Sequence, residues 1–328
     1  MTAKIELHVH LEGSIRPPAL LEIAHRNGQP LPADNVEDLA KLYEFTDFDH
    51  FIEVWLLTTN CLRGAADFRQ VAVDYAAEAA SFGAVYVEGI FSPCERVARG
   101  VSWEDIFEGY ADGVAEAAEA HGVTMRFTPD IYRSVDVELA EECARVAVRY
   151  RDRGVVGLGI GGSERATSLA RYQRAFDIAR DGGLPLVPHA GELPQVGTGP
   201  DATGGAAAVW EALGLSPARI RHGIHAVTDA VLLRELVDRG IVLDVCPTSN
   251  LRTRSVTDLA AHPLPALRAA GVACTINSDD PAMFGTDLGR EHEVAESLGI
   301  SAADAYAAGV AGALCDDETR TRLVALAP

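Results

Sequence analysis

Eight apolar, strand-like runs separated by helical patterns are the feature that most constrains the fold of this chain. The runs lie near 5–9, 85–90, 124–129, 155–160, 186–189, 219–222, 241–245 and 273–277. Regular alternation of strands and helices predicts a parallel α/β fold. Eight such units within 328 residues favour a closed (β/α)8 TIM barrel over an open sheet. The length suits two smaller domains as well, and we predict one barrel domain over 1–328.

Residues 17–80 are longer than a single strand-to-helix connection requires. Helical patterns inside this segment, such as 18–26 and 48–60, predict a helical insertion over the barrel mouth after strand 1. The Gly-, Pro- and Thr-rich residues 194–205 predict a loop beside the functional site.

The composition narrows the class of partner. The formal net charge of −20 argues against nucleic acid and favours a small neutral or cationic molecule, although a need for solubility is the better explanation of the charge. We find no pattern typical of a signal peptide or a membrane span, and the six cysteines are scattered without a C-x-x-C pair. We therefore expect a cytoplasmic protein with reduced thiols and no membrane partner.

The first strand places two histidines on one face. Side chains alternate along a strand, so His8 and His10 share the face that points into a barrel, while Leu7 and Val9 face the helices. Barrel enzymes carry their sites at the C-terminal ends of the strands. The His-x-His pair therefore predicts two zinc-binding imidazoles, with two ordinary polar strand residues as the alternative.

Two further strand ends carry polar residues. His189 ends the fifth strand and Glu192 follows it across Ala-Gly, which offers a third imidazole and a nearby carboxyl group. Asp279 and Asp280 end the eighth strand, where neighbouring residues point in different directions and so can bind a metal and a substrate separately. The alternatives are a loop histidine with a solvated glutamate, and an Asp-Asp-Pro turn that merely ends a strand.

A fourth histidine ends the sixth strand. His222 is a candidate base because imidazole titrates close to neutrality, and His225 competes for the same role. Three histidines and one aspartate suit zinc, which lowers the pKa of a bound water to about 7. A binuclear site with a bridging lysine does not fit, since the two lysines, Lys4 and Lys41, are not at the C-terminal end of a strand.

As an ordered set, these segments resemble the adenosine deaminase family of metal-dependent hydrolases. The matching segments are 6–14 (ELHVHLEGS), 189–192 (HAGE), 222–223 (HG), 246–249 (CPTS) and 277–281 (NSDDP). They span essentially the whole chain, and the ordered set is far more specific than any one of them. The resemblance implies a zinc-dependent hydrolytic deaminase that takes a small aminopurine nucleoside, releases ammonia and leaves a 6-oxopurine.

The resemblance also implies roles for individual residues. One Zn²⁺ per chain would be bound by His8, His10, His189 and Asp279, and would activate the water that attacks C6 of the purine. Glu192 would protonate N1, and His222 would orient the water and help to deprotonate it.

The remaining roles concern the substrate. Asp280 would bind N7 and the attacking hydroxyl, and the Gly162 amide would meet N3. His10 would also contact the substrate, Glu12 would contact the 5′ end of the sugar, and Ser249 would be a hydrogen-bonding partner of the site.

The substrate within this family is a narrower prediction. Glu12, Gly159 and Ser163 stand where adenosine deaminases tend to have aspartate, and Arg221 stands where a glycine is common. The segment 279–288 (DDPAMFGTDL) resembles deaminases of 6-aminodeoxyfutalosine, a menaquinone precursor with an aromatic carboxylate beyond the 5′ carbon. Arg221 or an arginine of the helical insertion would then meet that carboxylate.

Several alternatives stay open at this point. Adenosine or adenine deamination in purine salvage needs the same machinery, and iron, cobalt or manganese suits the same donors. A catalytically silent nucleoside-binding relative would need neither Glu192 nor His222. A hydrolase of amides or phosphoesters on the same fold is disfavoured by the missing bridging lysine and by the presence of His222 with Asp280.

Overall fold

Eight strands lie at or next to the predicted apolar runs, and three short strands, at 130–132, 195–196 and 203–204, were not predicted. The computed structural model describes residues 2–196 and 203–328. Its strands are β1 Lys4–His10, β2 Ala84–Ile90, β3 Thr124–Phe127, β4 Asp130–Tyr132, β5 Leu158–Gly161, β6 Leu186–Ala190, β7 Gln195–Val196, β8 Thr203–Gly204, β9 Arg219–His222, β10 Val242–Val245 and β11 Cys274–Ile276. Apart from the antiparallel β7–β8 pair, all paired strands are parallel.

Two curved sheets join to close the barrel. One has the order β1-β2-β3 and the other the order β11-β10-β9-β6-β5-β4. Val9 pairs with Asp279 at one seam, where the His10 N–H donates to the Asp279 carbonyl at 2.7 Å, and Phe127 pairs with Val155 at the other. The (β/α)8 barrel predicted from the sequence is confirmed.

The third predicted strand ends earlier than expected, and a further short strand follows it. Pro129 separates β3 from β4, because proline has no N–H to donate to the ladder. Pairing towards β2 continues on both sides of it, through the Thr128 N–H to Gly89 and the Asp130 N–H to Phe91. This break leaves Asp130 at the start of a new short strand.

Helices surround the barrel. They are α1 Pro17–Arg26, α2 Val36–Leu42, α3 Phe48–Thr59, α4 Ala65–Ser81, α5 Pro93–Val97, α6 Trp103–His121, α7 Val137–Arg149, α8 Gln173–Asp181, α9 Gly205–Leu213, α10 Ala230–Asp238, α11 Pro247–Arg252, α12 Leu264–Ala269, α13 Pro281–Phe284, α14 Leu288–Ser297, α15 Ala302–Gly312 and α16 Asp317–Ala325. Short 3-10 turns lie at Glu12–Ser14, Arg151–Arg153, Leu169–Tyr172, Ile224–Thr228 and Leu259–Ala261. None of the helices described here is long and apolar enough to cross a membrane.

The segment predicted as an insertion has two parts. Helix α3 contributes a wall of the pocket at the barrel mouth. Helix α4 instead packs along α6, where a Cβ at Gly109 or Gly113 would overlap α4. The glycines permit this close approach of two helices, so α4 is an outer helix of the barrel and the mouth is covered by the residues before it. Of the predicted loop 194–205, residues 197–202 lie outside the described part of the chain.

Candidate metal centre and active site

Four donor atoms converge at the C-terminal end of the barrel. His8 and His10 come from β1, His189 from β6, and Asp279 from the turn after β11. The Nε2 atom of His189 lies 3.2 Å from Nε2 of His8 and 3.2 Å from Nε2 of His10. The Oδ1 atom of Asp279 lies 3.1 Å and 3.4 Å from the same two nitrogens. The four residues thus face a common centre.

These spacings match the edges of a tetrahedral metal site. With zinc–nitrogen distances of about 2.0–2.1 Å, neighbouring ligand atoms of a tetrahedron lie about 3.3–3.4 Å apart. Burial lowers the pKa values of His8, His10 and His189 well below the ordinary value, so each neutral imidazole has a lone pair to offer. The donor set therefore fits a divalent cation.

The far ring nitrogens are anchored away from this centre. Nδ1 of His189 lies 2.9 Å from the carbonyl oxygen of Ile160 and 3.2 Å from a carboxylate oxygen of Asp130. Nδ1 of His8 lies 3.4 Å from the carbonyl oxygen of Asp244. When Nδ1–H donates to such acceptors, the lone pair is on Nε2, on the side of the common centre.

Asp279 has a backbone conformation that L-residues rarely adopt. Its φ is 63°, and that of His222 is 59°, both in the left-handed region. Strained positions of this kind cluster at functional sites. The Ser249 hydroxyl donates to Oδ2 of Asp279 at 2.6 Å, which leaves Oδ1 for the centre. Ser249 thus has the contact that was expected of it.

Glu192 and His222 lie side by side next to the centre. Nε2 of His222 is 3.6 Å from Oε2 of Glu192 and 3.8 Å from Oδ2 of Asp279. Burial lowers the pKa of His222 to about 3. Burial, followed by the negative charge of Asp279, raises the pKa of the Glu192 carboxyl well above its ordinary value. A carboxyl group whose pKa is raised in this way is suited to act as an acid.

Hydrogen bonds fix the orientation of the His222 ring. The Leu264 N–H donates to Nδ1 of His262 at 3.0 Å, so Nε2 of a neutral His262 carries the proton and donates to Oδ1 of Asn250 at 3.2 Å. The Asn250 amide then donates to Nδ1 of His222 at 3.3 Å. A neutral His222 therefore presents Nε2–H towards Glu192.

Asp280 is held in place by a residue of the helical insertion. The indole N–H of Trp55 on α3 donates to Oδ1 of Asp280 at 2.8 Å. A Cβ at Gly13 would overlap the same carboxyl group, so only glycine leaves it room. Burial, followed by the negative charge of Asp279, raises the pKa of Asp280 well above its ordinary value. The carboxyl group faces the pocket from a fixed position.

The pocket above the centre has a cavity of about 40 Å³. Phe48, Phe51, Ile52 and Trp55 of α3 form an aromatic and apolar part of its wall. The rest of the lining is Ser92, Tyr132 and Gly161 together with seven of the residues predicted from the sequence, His10, Gly162, His189, Glu192, His222, Asp279 and Asp280. Gly162 has a φ of 88°, and a Cβ there would overlap the Tyr132 ring.

Glu12 lies buried next to the pocket. Its Oε1 accepts a hydrogen bond from the Ser92 N–H at 3.0 Å and lies 3.7 Å from Nε of Arg96. Among the described residues, Ser92 rather than Glu12 lines the cavity. Contact between Glu12 and the sugar therefore stays a prediction.

Arg221 does not reach the pocket. Its guanidinium is completely buried inside the barrel, where it pairs with Asp130 and donates to the Thr128 hydroxyl at 2.6 Å. The prediction that Arg221 binds a substrate carboxylate is wrong. Its guanidinium is buried and already forms an ion pair with the Asp130 carboxylate. A Cβ at Gly159 would overlap both partners, so this glycine provides the space for the ion pair.

The arginines of the insertion are also engaged elsewhere. Arg26 forms an ion pair with Asp67, and Arg69 forms one with Glu116. Arg63 donates a hydrogen bond to the carbonyl oxygen of Arg99. These partners lie away from the pocket lining, so no insertion arginine described here is placed for the predicted contact.

Glu164 is a residue of the site that was not predicted from the sequence. Its carboxylate accepts hydrogen bonds from the backbone N–H groups of Gly191, Glu192 and Leu193 at 2.8, 2.9 and 3.1 Å. The turn that carries the candidate acid is therefore held by one buried carboxylate. The only signal for it in the sequence is a glutamate after the glycine run of the fourth predicted strand, which has no visible link to residue 192.

A parallel barrel in which strand-end histidines and one aspartate converge on one point is the arrangement typical of metal-dependent hydrolases. Comparison with known proteins narrows this class. The family model described as adenosine deaminase matches residues 3–326, and the chain belongs to the adenosine deaminase family. It is a hydrolytic deaminase.

The sequence is similar to curated proteins of two kinds. Aminodeoxyfutalosine deaminase of Acidothermus cellulolyticus is 56% identical over 321 residues, 98% of this chain and 89% of that protein. Aminodeoxyfutalosine deaminase of Streptomyces coelicolor is 40% identical over 90% of this chain and 74% of its own length. Adenine deaminase of Sinorhizobium fredii is 37% identical over 98% of this chain and 97% of its own length.

Solved structures share the fold. The crystal structure of adenine deaminase from Arthrobacter aurescens has a TM-score of 0.91 and 30% identity, covering 100% of this chain and 98% of that one. An amidohydrolase from Burkholderia ambifaria with bound Zn has a TM-score of 0.86 and 25% identity, covering 99% and 89%.

Proposed function

We propose that this protein is a zinc-dependent deaminase of 6-aminodeoxyfutalosine, acting in menaquinone biosynthesis in the cytoplasm. In this reaction water replaces the 6-amino group, ammonia leaves, and a 6-oxopurine remains. The observation that carries the substrate is the 56% identity, over nearly the whole chain, to a protein named aminodeoxyfutalosine deaminase. Identity to the relatives named adenine deaminase is lower, at 36–37%.

The proposed metal is one Zn²⁺ per chain, held by His8, His10, His189 and Asp279. Their donor spacing of 3.1–3.4 Å and the bound Zn of the Burkholderia relative support this assignment. A cation there would supply Lewis-acid activation of the attacking water. The anchored Nδ1 atoms of His8 and His189 would keep both rings aligned without metal, which lowers the cost of binding it.

The residues of the chain would then complete the chemistry at the purine. Glu192, whose pKa is raised by burial, would donate a proton to N1 and make C6 electrophilic. His222 would orient the attacking water through Nε2–H, and its bond from Asn250 favours this role over uptake of the water's proton. Asp280 would bind N7 and the attacking hydroxyl, held in place by Trp55.

The remaining contacts would position the substrate. The Gly162 amide would meet N3, His10 would touch the base, and Glu12 would act on the 5′ side with Ser92. The proposed partner is a small aminopurine. Nucleic acid is not proposed, because the formal net charge of −20 would repel a phosphate backbone.

Adenine or adenosine is the second candidate substrate. The relatives named adenine deaminase cover the chain as completely as the first, and the neighbour from Arthrobacter aurescens has the same barrel. The catalytic groups treat any 6-aminopurine alike, so the substituent on N9 decides between these substrates.

The deciding experiment measures ammonia release by the zinc-loaded protein from 6-aminodeoxyfutalosine, 5′-methylthioadenosine, adenosine and adenine. We expect kcat/KM for 6-aminodeoxyfutalosine to exceed the others by at least tenfold. A higher kcat/KM for adenine or adenosine would reassign the enzyme to purine salvage. Zinc content should be one ion per chain, and substitution of His8 by alanine should lower it.

A further inference from the structure

Three residues meet across the mouth of the pocket, and we refer to Asp49, Ser163 and Arg165 as the mouth clamp. Asp49 is in the first turn of α3, next to the pocket-lining Phe48. Ser163 and Arg165 follow the pocket-lining Gly162 at the end of β5. The Ser163 hydroxyl donates to Oδ1 of Asp49 at 3.3 Å, and Arg165 lies 3.5 Å from Oδ2. The clamp thus connects the insertion to the barrel.

The ion pair in this clamp is easily exchanged. The side chain of Asp49 is 60% exposed and that of Arg165 is 33% exposed. An exposed pair at the outer limit of hydrogen-bond distance contributes little free energy, because water competes for both charges. A second carboxylate arriving at the mouth can therefore replace Asp49 on Arg165 at small cost.

The side chains that line the pocket indicate why a cation at its mouth would matter for substrate binding. Carboxyl groups line or adjoin the cavity at Glu192, Asp279, Asp280 and Glu12, and the arginine expected there, Arg221, is neutralised inside the barrel. None of the described lining residues is an arginine or a lysine, so an anionic substituent would meet a cationic side chain only at the mouth.

The clamp lies beside two segments that line the cavity. Residues of α3 and of the end of β5 line this cavity, and the clamp joins these segments at its edge. A substituent that extends from the purine in this direction would meet the clamp.

We propose that Arg165 is the carboxylate-binding residue of the substrate site, and that the substrate's distal carboxylate replaces Asp49 in the clamp when it binds. The inference rests on the proposed function, since 6-aminodeoxyfutalosine carries such a carboxylate beyond the 5′ carbon. Arg165 and Ser163 then hold the far end of the substrate while the purine lies at the metal centre. Adenosine and adenine have no group for Arg165 to bind.

The test compares 6-aminodeoxyfutalosine with its methyl ester in the intact zinc enzyme. Arg165→Met should raise KM for the carboxylate about tenfold, the usual value of one charge-assisted hydrogen bond, and change KM for the ester less than twofold. Arg165→Lys should fall between, because lysine keeps the charge without the planar fork. Asp49→Asn should lower KM for the carboxylate, since it removes the competing anion.

The matched control is a second arginine–aspartate surface pair outside the pocket. Arg268 on α12 pairs with Asp304, and both side chains are about as exposed as those of the clamp, 45% and 43%. Arg268→Met should leave both KM values unchanged. Equal changes for carboxylate and ester in Arg165→Met, or none in either, would overturn the inference.

Calorimetric binding of the carboxylate-bearing 6-oxopurine product and of its ester separates the two claims. Turnover of 6-aminodeoxyfutalosine without any effect of Arg165 on carboxylate binding refutes the clamp and leaves the proposed function standing. Binding that depends on Arg165, without turnover, refutes the function and supports the clamp. If the unaltered enzyme binds neither compound, both are wrong.

Discussion

The barrel interior contains two polar layers that differ in how completely their charges are paired. In the layer below the site, Arg219 donates to Asp244 at 3.0 Å, to Glu88 at 2.7 Å and to the Gly312 carbonyl at 2.7 Å, all fully buried. Glu88 also accepts from the Tyr86 hydroxyl at 3.0 Å. Each charged group in this layer thus has an oppositely charged partner within the protein.

The layer at the strand ends is arranged in the opposite way. His8, His10 and His189 turn acceptor nitrogens towards one another at 3.2 Å, and Asp279 adds a carboxylate oxygen to the same space. Grouped acceptors without a donor are unfavourable, so the rest of the fold must hold them in place. The lower layer, in which buried charges are paired with one another, contributes to the stability of the fold. The upper layer, in which acceptor atoms converge without a donor, forms a site where a cation can bind and catalysis can take place.

The largest effect should come from the upper layer. Glu192→Gln should lower kcat/KM by about 10²–10⁴-fold, because the amide cannot deliver a proton to the base. Zinc content and the free energy of unfolding should stay close to those of the unaltered enzyme, because Glu192 is not in the proposed ligand set. The check is ammonia release with metal analysis of the same samples. Activity within a few-fold of the original would mean that another group is the acid.

The lower layer should respond in stability. Arg219→Met leaves Asp244 and Glu88 as buried carboxylates without a cation, which should lower the free energy of unfolding by about 3–5 kcal/mol. Urea denaturation measures this loss. Substitution of the exposed Arg268 should cost less than about 1 kcal/mol. A loss at Arg219 no greater than at Arg268 would show that the two layers do not differ in the way proposed.

Glu164 tests how rigidly the acid must be held. Glu164→Gln weakens the three hydrogen bonds to residues 191–193 and should reduce kcat about 10–100-fold through misplacement of Glu192, with KM within about threefold. Glu211→Gln is a matched control, because Glu211 binds the N–H of Leu169 in a different turn. A change confined to KM, or an equal change in both variants, would argue against positioning.

A smaller effect concerns a histidine outside the site. Burial lowers the pKa of His292 to about 4 from an ordinary 6.5, so the unfolded chain binds a proton that the folded chain does not between these values. His292 therefore contributes stability above about pH 6.5 that is lost as the pH falls towards 4. His292→Leu should flatten this decline by about 1–2 kcal/mol, as measured by urea denaturation from pH 7 to pH 4. Parallel pH profiles for the two proteins would refute it.

Much of the site could be predicted because it depends on local pattern. Alternation along β1 places His8 and His10 on the inner face. Asp279 and Asp280 lie in the turn just after β11, next to the strand end where the sequence predicted them. The pairing of Arg221 with Asp130 could not be foreseen, because these residues are far apart in the chain and meet only across the closed barrel. Trp55 and Asn250 were missed for the same reason.

The sequence by itself determined the barrel and the inward-facing donors, because strand alternation and helix periodicity are properties of neighbouring residues. Only the tertiary structure decided which charged side chains are paired inside the protein and which remain free to bind a ligand. Arg221 is neutralised inside the barrel, while Arg165 reaches the mouth. The physical reason is that the free energy of a charge depends on its burial and its partners, and both are set by contacts between segments that closure of the barrel brings together.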